Sequence, residues 1–221
     1  MLVAGIIAFF ASGLNKVLTF DQLRTHRGDL MAYVASMPVK AILLFTASYA
    51  AAVAFSIPGG AIMTLTAGFL FGIWFGTAAV VVGATLGATI LFLAARSALA
   101  DLLRGKAGPW LTRMEEGFRE NAFSYLLVLR LIPAVPFFVV NLVPAFLGVP
   151  LRIYILATLI GIVPGTFVFA SIGAGLGSIF DRMEAFTLKG ALTPEIVIAL
   201  VGLAALALIP VIYRKLSSRG I

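Results

Sequence analysis

Apolar runs separated by short polar clusters recur along the whole chain, and the length of each run decides which kind of element it predicts. Residues 2–14 are apolar or small throughout, but Asn15 and Lys16 interrupt them before the ~20 residues that a full crossing of a bilayer requires. Residues 1–19 lack the basic flank of a signal peptide, so they read as a retained helix. A polar connection follows, with Arg24, Arg27 and Lys40 set against Asp21 and Asp29. Residues 41–57 predict a second helix, stopped where Pro58, Gly59 and Gly60 come together. The next apolar run, 61–72, is too short to cross and suits one limb of a re-entrant hairpin. Residues 73–95 are long enough to span, and Arg96 closes that helix where its charge can snorkel to the head groups. Residues 97–121 mix acidic and basic side chains with Leu, Trp and Phe, which predicts an amphipathic interfacial segment broken at Gly108 and Pro109. A short helix then rises from about Phe118 to Arg130, followed by a second hairpin over 133–148. A crossing helix over 152–174 contains Gly161, Pro164 and Gly165. A charged loop with Asp181, Arg182, Glu184 and Lys189 leads to a last helix over 195–213 and a basic tail.

Arg130 breaks the pattern. It is a cation in an apolar run, a placement that costs at least ~2.5 to 3.5 kcal/mol at the centre of a membrane helix, so it must face protein or water. Pro133, Pro136 and Pro144 follow it closely, and each removes a backbone donor and clashes with the preceding turn. The backbone must break there, and broken backbone at membrane depth is tolerated where protein buries it or where it lines a cavity. In the helix over 73–95, Ala79, Gly83 and Gly87 recur every four residues, a seam of small side chains on which another backbone can pack closely.

Composition settles the class. The chain is 62% hydrophobic and 11% charged with a mean hydropathy of +1.11, far from a soluble domain at roughly 25% charged. The net charge of +7 is spread between the apolar runs and reads as membrane topology instead of a nucleic-acid patch. Without cysteine there is no disulfide, thiolate ligand or thiol nucleophile, and His26, the one histidine, lies in a polar connection and is no metal site.

Two halves echo one another weakly. Ile57 and Pro58, then Gly68 to Gly72, then a helix with Gly83 and Gly87 correspond to Ile132 and Pro133, then Ala145 to Gly148, then a helix with Gly161 and Gly165. If the connection at 20–40 is cytoplasmic and the helix over 73–95 returns to it, every Lys and Arg except Arg182, Lys189 and Arg130 lies inside. The expectation is an all-α polytopic membrane protein of about five transmembrane helices plus two opposed re-entrant hairpins in an inverted repeat, at about 57–72 and 133–148. Transporters use such an architecture to place a site at the midplane. Three segments are expected: an N-terminal helix and connection (1–39), a membrane core (40–176), and a loop with a C-terminal helix (177–221).

The turn at Pro58 and Gly59 followed by Ala67 to Gly72, the set Gly76, Val80 and Gly83, the pair Phe92 and Arg96, and the run Arg130, Pro133, Pro136, Asn141, Gly148 together resemble the DedA superfamily. These proteins carry the VTT, or SNARE-associated Golgi protein, domain, and the chain is most similar to the bacterial late-Golgi vesicle protein branch. The resemblance covers about residues 40–176. It implies facing re-entrant hairpins, no cofactor, and movement of lipid or lipid-linked phosphate across a bilayer, in a bacterial plasma membrane. The acidic residues that DedA proteins proper carry near the first hairpin are missing, since no Asp or Glu lies between Asp29 and Asp101, so proton coupling is not implied. Arg130 and Asn141, with Pro133, Pro136 and Arg96, are the candidate translocation residues; Pro58, Gly59, Gly68, Gly72, Gly83, Gly87, Gly148, Gly161 and Gly165 are the hairpin and packing candidates. Membrane lipids are the expected partners, a homo-oligomer is open, and nucleic acid is not expected. A small-solute or ion transporter and a non-transporting assembly protein stand as alternatives. An enzyme is the reading with least support, because there is no Ser/His/Asp set, metal cluster or intramembrane carboxylate pair.

Overall fold

The structure is a computed structural model that describes residues 20–104, 121–131 and 137–181. The expected first helix, most of the interfacial segment, Pro133, Pro136 and the expected C-terminal helix lie outside them. The described elements are all α-helices: α1 (Phe20–Thr25), α2 (Arg27–Ser36), α3 (Pro38–Ala54), α4 (Gly60–Arg104), α5 (Asn121–Leu131), α6 (Phe137–Phe146), α7 (Leu151–Gly161) and α8 (Val163–Asp181). The chain is a membrane protein: two stretches, Gly60–Ser97 and Leu151–Leu176, are long and apolar enough to cross a bilayer, and α2 with α3 makes a third if that bent pair counts as one span.

The sequence explains where these helices begin and end. The polar connection at 20–40 is itself helical, and its break falls at Met37, held at φ −141° because the following Pro38 disfavours the helical region for the residue before it. Pro38 then sits in the first turn of α3, where its missing N–H costs nothing, and α3 leaves α2 at 119°. At its end, Ile57 N–H donates to the Ala52 carbonyl at 2.8 Å around Ser56 at φ 54°, a six-to-one closure of the Schellman kind. α6 closes in the same way, with Val149 N–H donating to the Pro144 carbonyl at 3.2 Å around Gly148 at φ 65°.

The chain divides into two units, Met1–Gly87 with Gly165–Thr193, and Ala88–Pro164 with Pro194–Ile221. In the first unit, α4 is two helical limbs joined at Gly72, whose φ of 75° and ψ of 180° are open to glycine alone. A Cβ on Gly76 would lie 2.7 Å from the Ala67 carbonyl oxygen, nine residues earlier. Nine residues of straight helix span about 13.5 Å, so the chain reverses at Gly72. The limb at 60–71 also runs back along α3, with Phe71 edge-on to Phe45 at 5.4 Å and Tyr49 bonded to Thr64 at 3.0 Å. Beyond Gly72 the second limb packs its glycine seam on α3: Gly83 against Thr46 and Tyr49, Gly87 against Ala50 and Val53. The numbers rise together on both helices, so α3 and the second limb run parallel. The expected return of this helix towards its starting face is therefore corrected, because α3 is the first arm of a helical pair whose second arm is 60–71. α8 crosses that arm through reciprocal glycines, Gly68 on the Ala170 carbonyl and Gly173 on the Leu65 carbonyl, beside a cluster of Leu23, Leu65 and Leu176.

α4 also continues to Arg104, so Arg96 does not close it, and Arg96 stands exposed on its surface. The expected span over 152–174 is present as α7 and α8, separated by a single turn residue, Ile162, just before Pro164.

Candidate functional site

In the second unit, Arg130 lies one residue from the end of α5, and α7 meets it with one face. Tyr154, Thr158 and Gly161 recur at intervals of four and three, which puts them in one row. A Cβ on Gly161 would lie 2.8 Å from the Arg130 Cβ, so glycine here makes room for the arginine stem. The guanidinium then reaches the two hydroxyls above it. Arg130 Nη2 donates to Thr158 Oγ1 at 2.8 Å and to the Tyr154 hydroxyl at 3.1 Å, with its Cζ 5.5 Å from the centre of the Tyr154 ring. Tyr154 and Asn141 are 0% exposed and Thr158 is 1% exposed. The Tyr154 ring is also stacked on Phe92, at 4.3 Å between ring centres.

The hydrogen bonds do not balance. The Tyr154 hydroxyl accepts from Arg130 and gives its one proton to Asn141 Oδ1 at 2.9 Å, with the Ala88 carbonyl further away at 3.3 Å. Arg130 Nε and Asn141 Nδ2 are buried donors without any partner among the described residues. A buried donor left unmade costs about 1–3 kcal/mol, so the cluster holds an excess of donors over acceptors. Asp21, Asp29, Asp101 and Asp181 are the acidic positions of the described helices, and the partners of the Arg130 guanidinium among the described residues are the hydroxyls of Thr158 and Tyr154. Among the described residues, this arrangement is a cation bonded to hydroxyls with spare N–H groups beside it, and what it lacks is an oxygen acceptor.

A second polar group, in the first unit, is closed on itself. Thr64 Oγ1 donates to the Gly60 carbonyl at 2.7 Å, which leaves the Tyr49 hydroxyl to donate to Thr64. Among the described residues no group of three His, Asp or Glu side chains is placed to hold a metal.

Of the candidates drawn from the sequence, Arg130, Asn141 and Gly161 come together in this cluster, while Arg96 lies exposed on α4 and no bond joins it to them among the described residues. Pro58 and Gly59 form the turn into α4, Gly59 at φ 120°. Gly165 has open space where a packed neighbour was expected. Tyr154 and Thr158 were missed. The available signal was their four-residue spacing with Gly161 beyond, on a helix otherwise made of aliphatic residues apart from Arg152.

Residues 57–175 match the model of the VTT domain family. A transmembrane protein 41 homolog of Dictyostelium discoideum is 32% identical over 177 residues, covering 79% of this chain and 51% of that protein. Transmembrane protein 41B of Xenopus tropicalis is 27% identical over 190 residues, 84% of this chain and 66% of that protein. The human protein of the same name is 26% identical over 190 residues, 84% of this chain and 63% of its own. The chain thus spans about half to two thirds of the length of these relatives. No solved structure matches it.

Proposed function

This chain belongs to the VTT domain family, and from that premise we propose that it moves lipids or lipid-linked phosphates across the bilayer, in the plasma membrane of a bacterial cell. The observation that carries the reading is Arg130: a guanidinium at the end of a short apolar helix, bonded to hydroxyls and with its buried Nε donor unused. A head group crossing unaided must take its phosphate into hydrocarbon, at a cost of many kcal/mol for an unpaired charge. Guanidinium offers phosphate a planar two-point fork and stays charged when buried. A phosphate held at Arg130 would keep its charge compensated while the acyl chains remain in lipid. With no Asp or Glu between Asp29 and Asp101 to carry a proton, transport runs down the lipid gradient.

The test is purified protein in liposomes containing labelled phosphatidylglycerol, scored by the rate at which label becomes accessible in the outer leaflet. Arg130→Ala should fall at least tenfold, about 1.4 kcal/mol in barrier, while inserting normally, and Arg130→Lys should recover little because it offers a point charge in place of a fork. Flipping no faster than in protein-free vesicles across several labelled lipids would reject the reading. So would an Arg130→Ala protein as active as the natural one.

A further inference from the structure

Resting on the phosphate reading of Arg130, we propose that Tyr154 is the gate of that site: its hydroxyl occupies the guanidinium when no lipid is bound and is exchanged for a phosphate oxygen when one arrives.

Three observations lead there. The fork edge of a guanidinium consists of Nε–H and one N–H of the neighbouring terminal nitrogen. In Arg130, Nε is buried and unpartnered, while Nη2 is engaged by Tyr154 and Thr158. The fork is therefore half empty, and a two-point phosphate contact requires one hydroxyl to leave. Of the two bonds, that to Tyr154 is the longer, 3.1 against 2.8 Å. Tyr154 keeps a partner after leaving, because its proton already goes to Asn141 Oδ1 at 2.9 Å. Asn141 completes the argument: it is 0% exposed, and its Nδ2 has no acceptor among the described residues. Two buried donors linked through one phenol oxygen lack the same thing, an oxygen acceptor. An incoming phosphate oxygen takes over the Nη2 donor as the phenol swings off the guanidinium towards Asn141, the ring sliding in its plane along Phe92.

Tyr154→Phe preserves the stacked ring and deletes only the competing oxygen. Detergent-purified protein is titrated calorimetrically with dihexanoyl phosphatidylglycerol, comparing natural, Tyr154→Phe and Arg130→Gln chains. The gate predicts that Tyr154→Phe binds about tenfold tighter, equivalent to about 1.4 kcal/mol, and that Arg130→Gln does not bind. Equal affinity for the natural chain and Tyr154→Phe, with binding lost in Arg130→Gln, overturns the gate and leaves the phosphate reading intact. Binding unaffected by Arg130→Gln overturns the phosphate reading itself. A readout that needs no folded Tyr154 variant is the near-ultraviolet difference spectrum of the natural chain during the same titration. A tyrosine perturbation that saturates with binding supports the exchange, and a flat tyrosine region at saturation overturns it.

Discussion

Ser56 closes α3 in the left-handed region, at φ 54°, while Gly148 does the same for α6 at φ 65°. For a residue with a side chain this conformation costs about 1–2 kcal/mol, and Ser56 also carries a buried hydroxyl with no partner among the described residues. Ser56→Gly should therefore raise thermal stability in detergent, by about 1 kcal/mol once the greater flexibility of glycine in the unfolded chain is set against the relief. An unchanged or lower midpoint would show that the Ser56 hydroxyl has a partner that stabilises the turn. Single residues of this kind were partly legible. Arg130 stood out because a cation in an apolar run has few places to go, and Gly148 because glycine after an apolar run marks a helix end. Tyr154 and Thr158 did not stand out: both are ordinary in a membrane helix until a cation 24 and 28 residues away is known to face them.

At the scale of elements, glycines in one helix divide sharply. In α8, a Cβ on Gly173 would run into the Leu65 carbonyl, whereas a Cβ on Gly165 would meet nothing within 4 Å. Backbone cannot step aside as a side-chain tip can, so Gly173→Ala should destabilise by about 1–3 kcal/mol, the usual range for overpacking. Gly165→Ala should be neutral or stabilise by up to about 1 kcal/mol through helix propensity. Thermal unfolding of the two variants side by side checks this, and equal midpoints would reject the close packing of α8 on 60–71. The seam of Gly83 and Gly87 was visible from its period, and so was the fact that some backbone would lie on it. That the backbone is α3, running parallel, was not visible, because helical periodicity reports a face and carries nothing about the direction of the partner. The same seam is filled from within the chain, so it is not available as a docking face for a second copy.

For the whole molecule, the parallel course of α3 and the second limb of α4 changes the expected sidedness. The arm at 60–71 brings the chain back beside the start of α3, and Trp74 and Phe75, 76% and 70% exposed, follow at once. Exposed aromatics at that position suit the belt at a membrane surface. From there a helix over 73–97 covers about 36 Å at 1.5 Å per residue, more than the ~30 Å hydrocarbon core, so its length suffices to carry the chain from one membrane face to the other. In sequence, Arg96, Arg104, Lys106, Arg113 and Arg119 cluster after this span and outnumber Arg24, Arg27 and Lys40 before it, so the positive-inside tendency predicts a cytoplasmic Ser97 end. The chain has no cysteine, so single labels are clean. Gly28→Cys, at a position with open space around it, should react with an impermeant reagent in intact cells, and Ser97→Cys only after permeabilisation. Labelling of both from one side would restore the returning helix. The membrane class and the end of α3 at Pro58 to Gly60 were readable in the apolar runs. Sidedness was not, because charge counts rank whole topologies and one reversed helix reassigns every loop beyond it.

The bonds from Arg130 forward to Tyr154 and Thr158 also constrain how the protein is made. The arginine leaves the ribosome 24 and 28 residues before the hydroxyls that receive it, an interval of about 1–5 s at 5–20 residues per second. During that interval α5 is a short apolar helix with an uncompensated cation, poorly suited to partition into lipid alone. Stable integration of α5 should wait for α7, so the nascent chain is held at the insertion machinery until this later helix arrives. In a chain truncated after Pro150, a single cysteine at Leu127 in α5 should react with an impermeant reagent, and in one extended through Gly161 it should be protected. Insertion should then be cooperative between helices, with a later segment acting as the chaperone of an earlier one.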